Sequence, residues 1–211
     1  MYIPKPYRME DQDALVAFMR AHSFATLVSV VDGAPFATHL PLVVTTEDEG
    51  VTLTGHLARA NPHWQAFGQG ETLAIFAGPH AYVSPSLYEK RGSVPTWNYV
   101  AVHAYGVPRV LDFDDQPAAV AAMLSDMIQT YESAYLAQWD DLSERFRTGM
   151  MQGLVGFTMR VTRLEGKAKL SQNRSLHDQA AVAQALAVSD DAAAAETGAM
   201  MQAQLTRGEK N

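Results

Sequence analysis

The chain predicts an α+β protein built on a barrel or strongly bent antiparallel sheet with flanking helices. Short runs rich in β-branched and aromatic residues follow one another with hairpin-length connections. Two helical stretches then come as a block and do not alternate with strands. No GxGxxG joins a strand to a helix, which disfavours a doubly wound dinucleotide fold. With 211 residues, 47% hydrophobic and 18% charged, one main domain over residues 1–188 is the economical organisation.

A helix is expected from about Asp11 to His22, where Leu15, Phe18, Met19 and His22 share a face and acids occupy the first turn. FATLVSVV, then Asp32-Gly33, then APFATHLPLVV reads as a hairpin, because Asp-Gly tolerates the positive φ of a tight turn. Pro35 and Pro41 put its second strand near an edge or bulge. VTLTGHL is the next strand; Asn61-Pro62 then opens a short helix that ends before Gly68, and TLAIF resumes the sheet.

Thr96 to Phe113 predicts one long strand, bent near Gly106 and Pro108. Val120, Met123, Leu124, Met127, Ile128 and Tyr131 form a helical stripe, with core-filling methionines. Asp140 is expected to cap a second helix through about Met151, burying Leu142 and Phe146. LVGFTMRVTRL alternates as a strand, KAKLSQNR starts a connection, and DQAAVAQAL is a last helix. Residues 189–211 carry few large apolar groups and are expected to be loose or a frayed helix.

Bulk properties narrow the function. Formal net charge is −7, so DNA contact would need a local basic patch and is not supported by the whole-molecule field. There is no cysteine, which removes disulfides, thiolate nucleophiles and cysteine-ligated metals. No apolar run is long enough to span a bilayer and the first residues lack a secretion h-region, so no membrane partner and a cytoplasmic location are expected.

Gly78 to Gly106 crowds aromatics and two histidines among turn residues. Trp97, Asn98 and Tyr99 offer ring faces, an amide and a hydroxyl together, which suits a flat polar ligand as well as an aromatic hairpin. In GHLARANPHW, Arg59 stands at a strand end beside the Asn61-Pro62 helix start, so it could cradle a phosphate or pair with a surface acid. Arg160, Arg163, Lys167, Lys169 and Arg174 face one acid, Glu165, in a stretch that is a solvated strand face or a phosphate grip. The seven histidines show no metal-ligand spacing, and the serines near His80 sit in no nucleophile motif. Asp114-Asp115 and Asp140-Asp141 read as helix caps.

The opening MYIPK, then GHLARANPHW, GPHAYVSPSLY, VPTWNYVAVHAYG, LVGF and RLEGKAKLSQNR, resemble the PaiB family of FMN-binding negative transcriptional regulators. The likeness runs from Met1 to about Leu186. It implies a split β-barrel of the pyridoxamine-phosphate-oxidase type, a homodimer, and FMN held where two subunits meet. Ala58-Arg59-Ala60 falls where split-barrel oxidases place Ser-Arg-Lys around the flavin phosphate; Lys167, Lys169 and Arg174 are the candidates to replace the absent lysine. The stretch from Glu89 to Ser93 lacks the histidine of the longer family loop, so no contact is carried over from it.

On this reading Trp97 stacks on the flavin ring, Asn98 and Ser84 meet its polar edge, Arg59 and Asn61 serve the phosphate, and Gln172 and Asn173 complete the pocket. No catalytic residue is singled out. The alternatives are an FMN-dependent reductase or oxidase on the same scaffold, with His56, His80 or His103 as acid or base, and a haem-binding or haem-degrading protein.

Overall fold

The computed structural model describes residues 1–47 and 50–208. Eight strands form an antiparallel sheet: β1 (Arg8–Met9), β2 (Phe24–Val31), β3 (Ala34–Pro41), β4 (Val43–Glu47), β5 (Gly50–Ala58), β6 (Thr72–Val83), β7 (Thr96–Leu111) and β8 (Leu154–Lys169). Their order is β3-β2-β6-β7-β8-β5-β4, with β1 on β8. Six α-helices accompany them among the described residues: α1 (Gln12–Ala21), α2 (Pro117–Glu132), α3 (Leu136–Asp141), α4 (Glu144–Gln152), α5 (Leu176–Ala187) and α6 (Ala192–Gly208). The chain divides into two compact units, and β6, β7 and β8 each contribute to both.

One unit comprises residues 16–76 and 103–164. Its hairpin turns at Asp32 (φ 52°) and Gly33 (φ 77°), as the sequence predicts, and β2 and β3 pair from Phe24↔Pro41 to Val31↔Ala34. β5 alternates strictly: Val51, Leu53 and Leu57 are buried, while Thr52, Thr54 and His56 lie on the other face. The register with β8 sets Leu53 against Met159 and Leu57 against Val155. Gly55 faces Phe157, and a Cβ there would come within 2.8 Å of Leu42 and 3.3 Å of the Phe157 ring, so the missing side chain makes room for the phenyl group. α2 buries Val120, Met123 and Met127.

The α2 stripe ends sooner than predicted, since Tyr131 is exposed and reaches Ser23 Oγ and the Leu42 carbonyl through its hydroxyl. Ser143, not Asp140, caps the helix that follows, accepting from the Phe146 amide; Phe146 itself is exposed. The short α3 takes up residues 136–141, which is why the Asp140-Asp141 pair lies at a helix end and not at a start.

The other unit comprises residues 1–15, 77–102 and 165–211. β6 runs through Gly78 and Pro79 to Val83, well beyond TLAIF, and β8 absorbs the KAK of KAKLSQNR. α5 starts on a Ser175 cap and buries Val182, Ala183 and Leu186. Contrary to the expected loose tail, Ala192–Gly208 is a helix with Thr197 and Met201 buried. Small residues allow this docking. A Cβ on Gly198 would lie 2.3 Å from the Ala187 nitrogen, so the two helices touch backbone to backbone, and Thr197 satisfies its buried hydroxyl on the Ala193 carbonyl at 2.7 Å. Residues 209–211 of the predicted tail lie outside the described residues.

Candidate functional site

Alternation along β6 and β7 sorts their side chains onto two faces. In β6 Ala81 and Val83 are buried whereas His80 and Tyr82 are exposed; in β7 Asn98 and Val100 are buried and Trp97 lies outside. The three outward rings gather. Trp97 stands 6.0 Å from His80 and 5.9 Å from Tyr82 between centroids, with the tyrosine edge-on at 73°. Trp97 is 54% exposed and Tyr82 51%, an aromatic wall left open to solvent that a flat ligand would cover at a gain of about 25 cal/mol per Å2.

Two lysines of β8 border that wall. Lys169 donates to Thr96 Oγ1 and to the Trp97 carbonyl. Lys167, 7% exposed, donates to the Tyr2 carbonyl at 3.2 Å, with its ammonium 4.9 Å from the Tyr99 ring centroid and 5.7 Å from that of Tyr2. Burial, and then the Lys167 charge, push the pKa of Lys169 below the ordinary lysine value. Among the described residues, the partners of both ammonium groups are carbonyl oxygens, a hydroxyl and ring faces, none bearing a full negative charge. An anion placed here would relieve the repulsion between them.

Other predicted site residues are dispersed. Asn98 is fully buried on the face of β7 opposite Trp97, with Nδ2 on Ser171 Oγ at 2.9 Å and no partner for its Oδ1 among the described residues. Gln172 accepts from the Leu170 amide and donates to the Ala168 carbonyl and to Gln204 of α6. Neither amide is brought to the ring wall. Arg174 lies over the Tyr88 ring at 4.1 Å, Ser84 caps the 3₁₀ turn Pro85–Leu87, and Asn173 is exposed.

Arg59 and Asn61 belong to the unit that does not hold the wall. Four of the five Arg59 guanidinium N–H groups are engaged: Nη1 and Nη2 grip the two oxygens of Asp112 at 3.0 and 3.2 Å, while Nε and Nη2 donate to the carbonyls of Gln152 and Leu154. The hydrogen bond to Arg59 holds the Asp112 carboxyl below its usual pKa. Arg59 thus realises the acid-pairing alternative, tying the end of β5 to the start of β8 and to the turn after β7.

Asn61 accepts from the His63 amide and donates to Thr38 Oγ1, which also shares a hydrogen bond with His63 Nδ1 at 2.8 Å. His63 Nε2 is buried among the rings of Phe36 and Phe67, with no hydrogen-bond partner among the described residues. Burial pushes the His63 pKa down, and that of His56 likewise.

Tyr82 was not selected by sequence, although the alternation His-Ala-Tyr-Val within GPHAYV marks it as facing the same way as His80. Histidine spacing also missed a grouping of Glu89, His177 and Asp178, whose ligand atoms lie within 4.8 Å of one another. There His177 Nδ1 lies 3.5 Å from a Glu89 carboxylate oxygen, and the Glu89 amide donates to Asp178 Oδ1 at 3.0 Å.

Residues 1–163 match the model of the FMN_bind_2 family, described as "Putative FMN-binding domain". The chain belongs to this FMN-binding family. Over 208 residues it is 36% identical to "Protease synthase and sporulation protein PAI 2" of Bacillus subtilis, covering 98% of this chain and 99% of that protein. Among solved structures it resembles the flavocytochrome Anf3 of Azotobacter vinelandii (TM-score 0.61, 13% identity, 77% and 69% of the two chains). It also resembles an FAD and haem binding protein of Mycobacterium smegmatis (TM-score 0.59, 14% identity, 83% and 80%). The expected α+β split-barrel class is the fold found, and FMN, the expected cofactor, is the one by which the family is described.

Proposed function

We propose that this protein binds FMN as a homodimer and acts as a PaiB-type negative regulator. The open wall of His80, Tyr82 and Trp97 beside Lys167 and Lys169 carries the reading, because it supplies a stacking surface and cationic donors next to each other. Trp97 and Tyr82 would hold the isoalloxazine and Lys169 the anionic end. Bound flavin would supply reversible electron acceptance; the protein would supply orientation and cover. A wall this exposed gains most if a second copy closes over it, which is the argument for a dimer.

Arg59 and Asn61 enter this reading as scaffold, and Asn98 and Gln172 as supports behind the wall. The net charge of −7 favours regulation through a partner over unaided DNA contact. No described helix is long and apolar enough to cross a membrane.

Titration of the purified protein with FMN, followed by flavin fluorescence and by size-exclusion chromatography with light scattering, tests binding and dimerisation together. Binding that survives Trp97→Ala and Lys169→Gln unchanged would overturn the assignment of the wall. A shift assay with promoter DNA at low salt separates direct from indirect regulation. A flavin-dependent oxidoreductase is the second reading, favoured by His80, a titratable group 6.0 Å from the Trp97 ring. Rapid mixing of the FMN-loaded protein with NADH or NADPH decides it, since an unbleached flavin band counts against a nicotinamide-dependent reductase.

A further inference from the structure

On the face of β7 opposite Trp97, a groove of about 410 Å3 opens between β7, β8, the start of α1 and the last turns of α6. Its walls are largely apolar, with Val100, Leu170 and Met200 prominent among them. The volume falls within the range of small-molecule sites, and Met200 offers the kind of adaptable surface that accepts variable chains. α6, which supplies much of the groove, lies beyond residues 1–163 matched by the FMN-binding family, and strand alternation keeps Val100 away from the aromatic wall.

The polar groups at the groove decide what kind of molecule it takes. Of the two acids here, Asp11 stands at the positive start of α1, its Oδ1 accepting from the Asp13 amide at 3.0 Å, and Glu10, 78% exposed, points to solvent 3.8 Å from Arg8. Gln204 uses its Oε1 for Gln172, which leaves its amide N–H groups to offer. Arg207 pairs with no acid among the described residues. A guanidinium fork and an amide donor one helical turn apart, at the end of an apolar trough, complement a carboxylate carried on an apolar body.

We propose that this groove is a second ligand site, separate from the flavin wall, for a small amphipathic carboxylate. Its apolar body lies along Val100 and Leu170, and its carboxylate meets Arg207 and Gln204. The site does not depend on flavin being bound.

The test uses the full chain, with and without FMN, and decanoate as the probe, read by isothermal titration and by amide chemical-shift mapping. Decanoate should bind in both states and perturb the amides of Ala168 and Ala203. Arg207→Gln should weaken it about tenfold, the size expected for one charge-assisted hydrogen bond, and Arg207→Lys should recover part of that loss. Ala203→Trp, at an exposed helical position that tolerates a large side chain, should fill the groove and abolish binding while leaving FMN affinity unchanged. Decanoate binding that is indifferent to Ala203→Trp, no binding at all, or tighter binding of decylamine than of decanoate would each overturn the proposal. Loss of FMN binding in the parent protein would refute the flavin reading alone.

Discussion

Replacing Arg59 with glutamine separates the two roles a strand-end arginine in GHLARANPHW could play. In the structure this side chain makes two hydrogen bonds to Asp112 and one each to the carbonyls of Gln152 and Leu154. The ion pair is partly exposed, at 35% for Arg59 and 23% for Asp112, so screening limits it to about 0.5–1 kcal/mol. The two carbonyl bonds add about 0.5 kcal/mol each net, for a total of about 1.5–2 kcal/mol. Urea unfolding at pH 7 should therefore show an unfolding free energy lowered by that amount, as a lower midpoint with an unchanged slope. A double-mutant cycle with Asp112→Asn should return a coupling of about 0.5–1 kcal/mol that shrinks in 0.5 M salt. FMN affinity, measured well below the unfolding transition, should change less than about threefold, corresponding to about 0.6 kcal/mol. Unchanged stability with a tenfold loss of FMN affinity would refute the reasoning and return Arg59 to the phosphate.

The aromatic wall gives the next prediction: Trp97→Ala should weaken FMN about tenfold, the order of a lost stacking partner, with little cost in stability because the ring is already half in water; an unchanged fluorescence titration would contradict it. His56 and His63 have folded pKa values lowered by burial, so their contribution is whole above the unfolded value of about 6.5 and is lost as pH falls below it. The unfolding free energy in urea should drop between pH 7.5 and 5, by no more than about 1.4 kcal/mol per pH unit per histidine, and a flat profile would count against neutral burial. Gly106→Ala should cost about 2–3 kcal/mol, since its Cβ would lie 2.3 Å from the Arg160 carbonyl oxygen. Gly156→Ala, whose nearest neighbour is the pliable thioether of Met123 at 2.8 Å, should cost less; calorimetric Tm values of the two variants check the order.

Local chemistry was legible in the sequence wherever one short stretch determined the outcome. Asp32-Gly33 needed positive φ and took it, Asn61 capped its turn, and β5 alternated as its pattern required. Gly78-Pro79 misled, because those residues usually break a strand, yet β6 carries them through. Ser143 outcompeted Asp140 as a cap because the helix begins later than the acid pair suggests. Beyond Ser189, single small residues carried information that composition hides: Gly198 permits a backbone crossing that no count of large apolar groups reveals.

In the candidate site the crowding of Trp97 with other rings, and the lysines of β8, could be read directly. The consequence of strand parity for Asn98, one residue from Trp97, was equally available in principle, since neighbours in a strand face opposite ways. What the chain could not disclose was the partner of Arg59. Asp112 lies 53 positions away, and only the pairing of β5 with β8 and the turn after β7 brings the two together.

Gly198 also bears on how α6 leaves its seat. Sliding the helix by one position would drive Thr197 or Ala199 into a notch that has no room for a methyl group. The helix is therefore either latched or lifted away, with no intermediate register to linger in. Its release should be a single cooperative event, visible as one group of amides in hydrogen exchange.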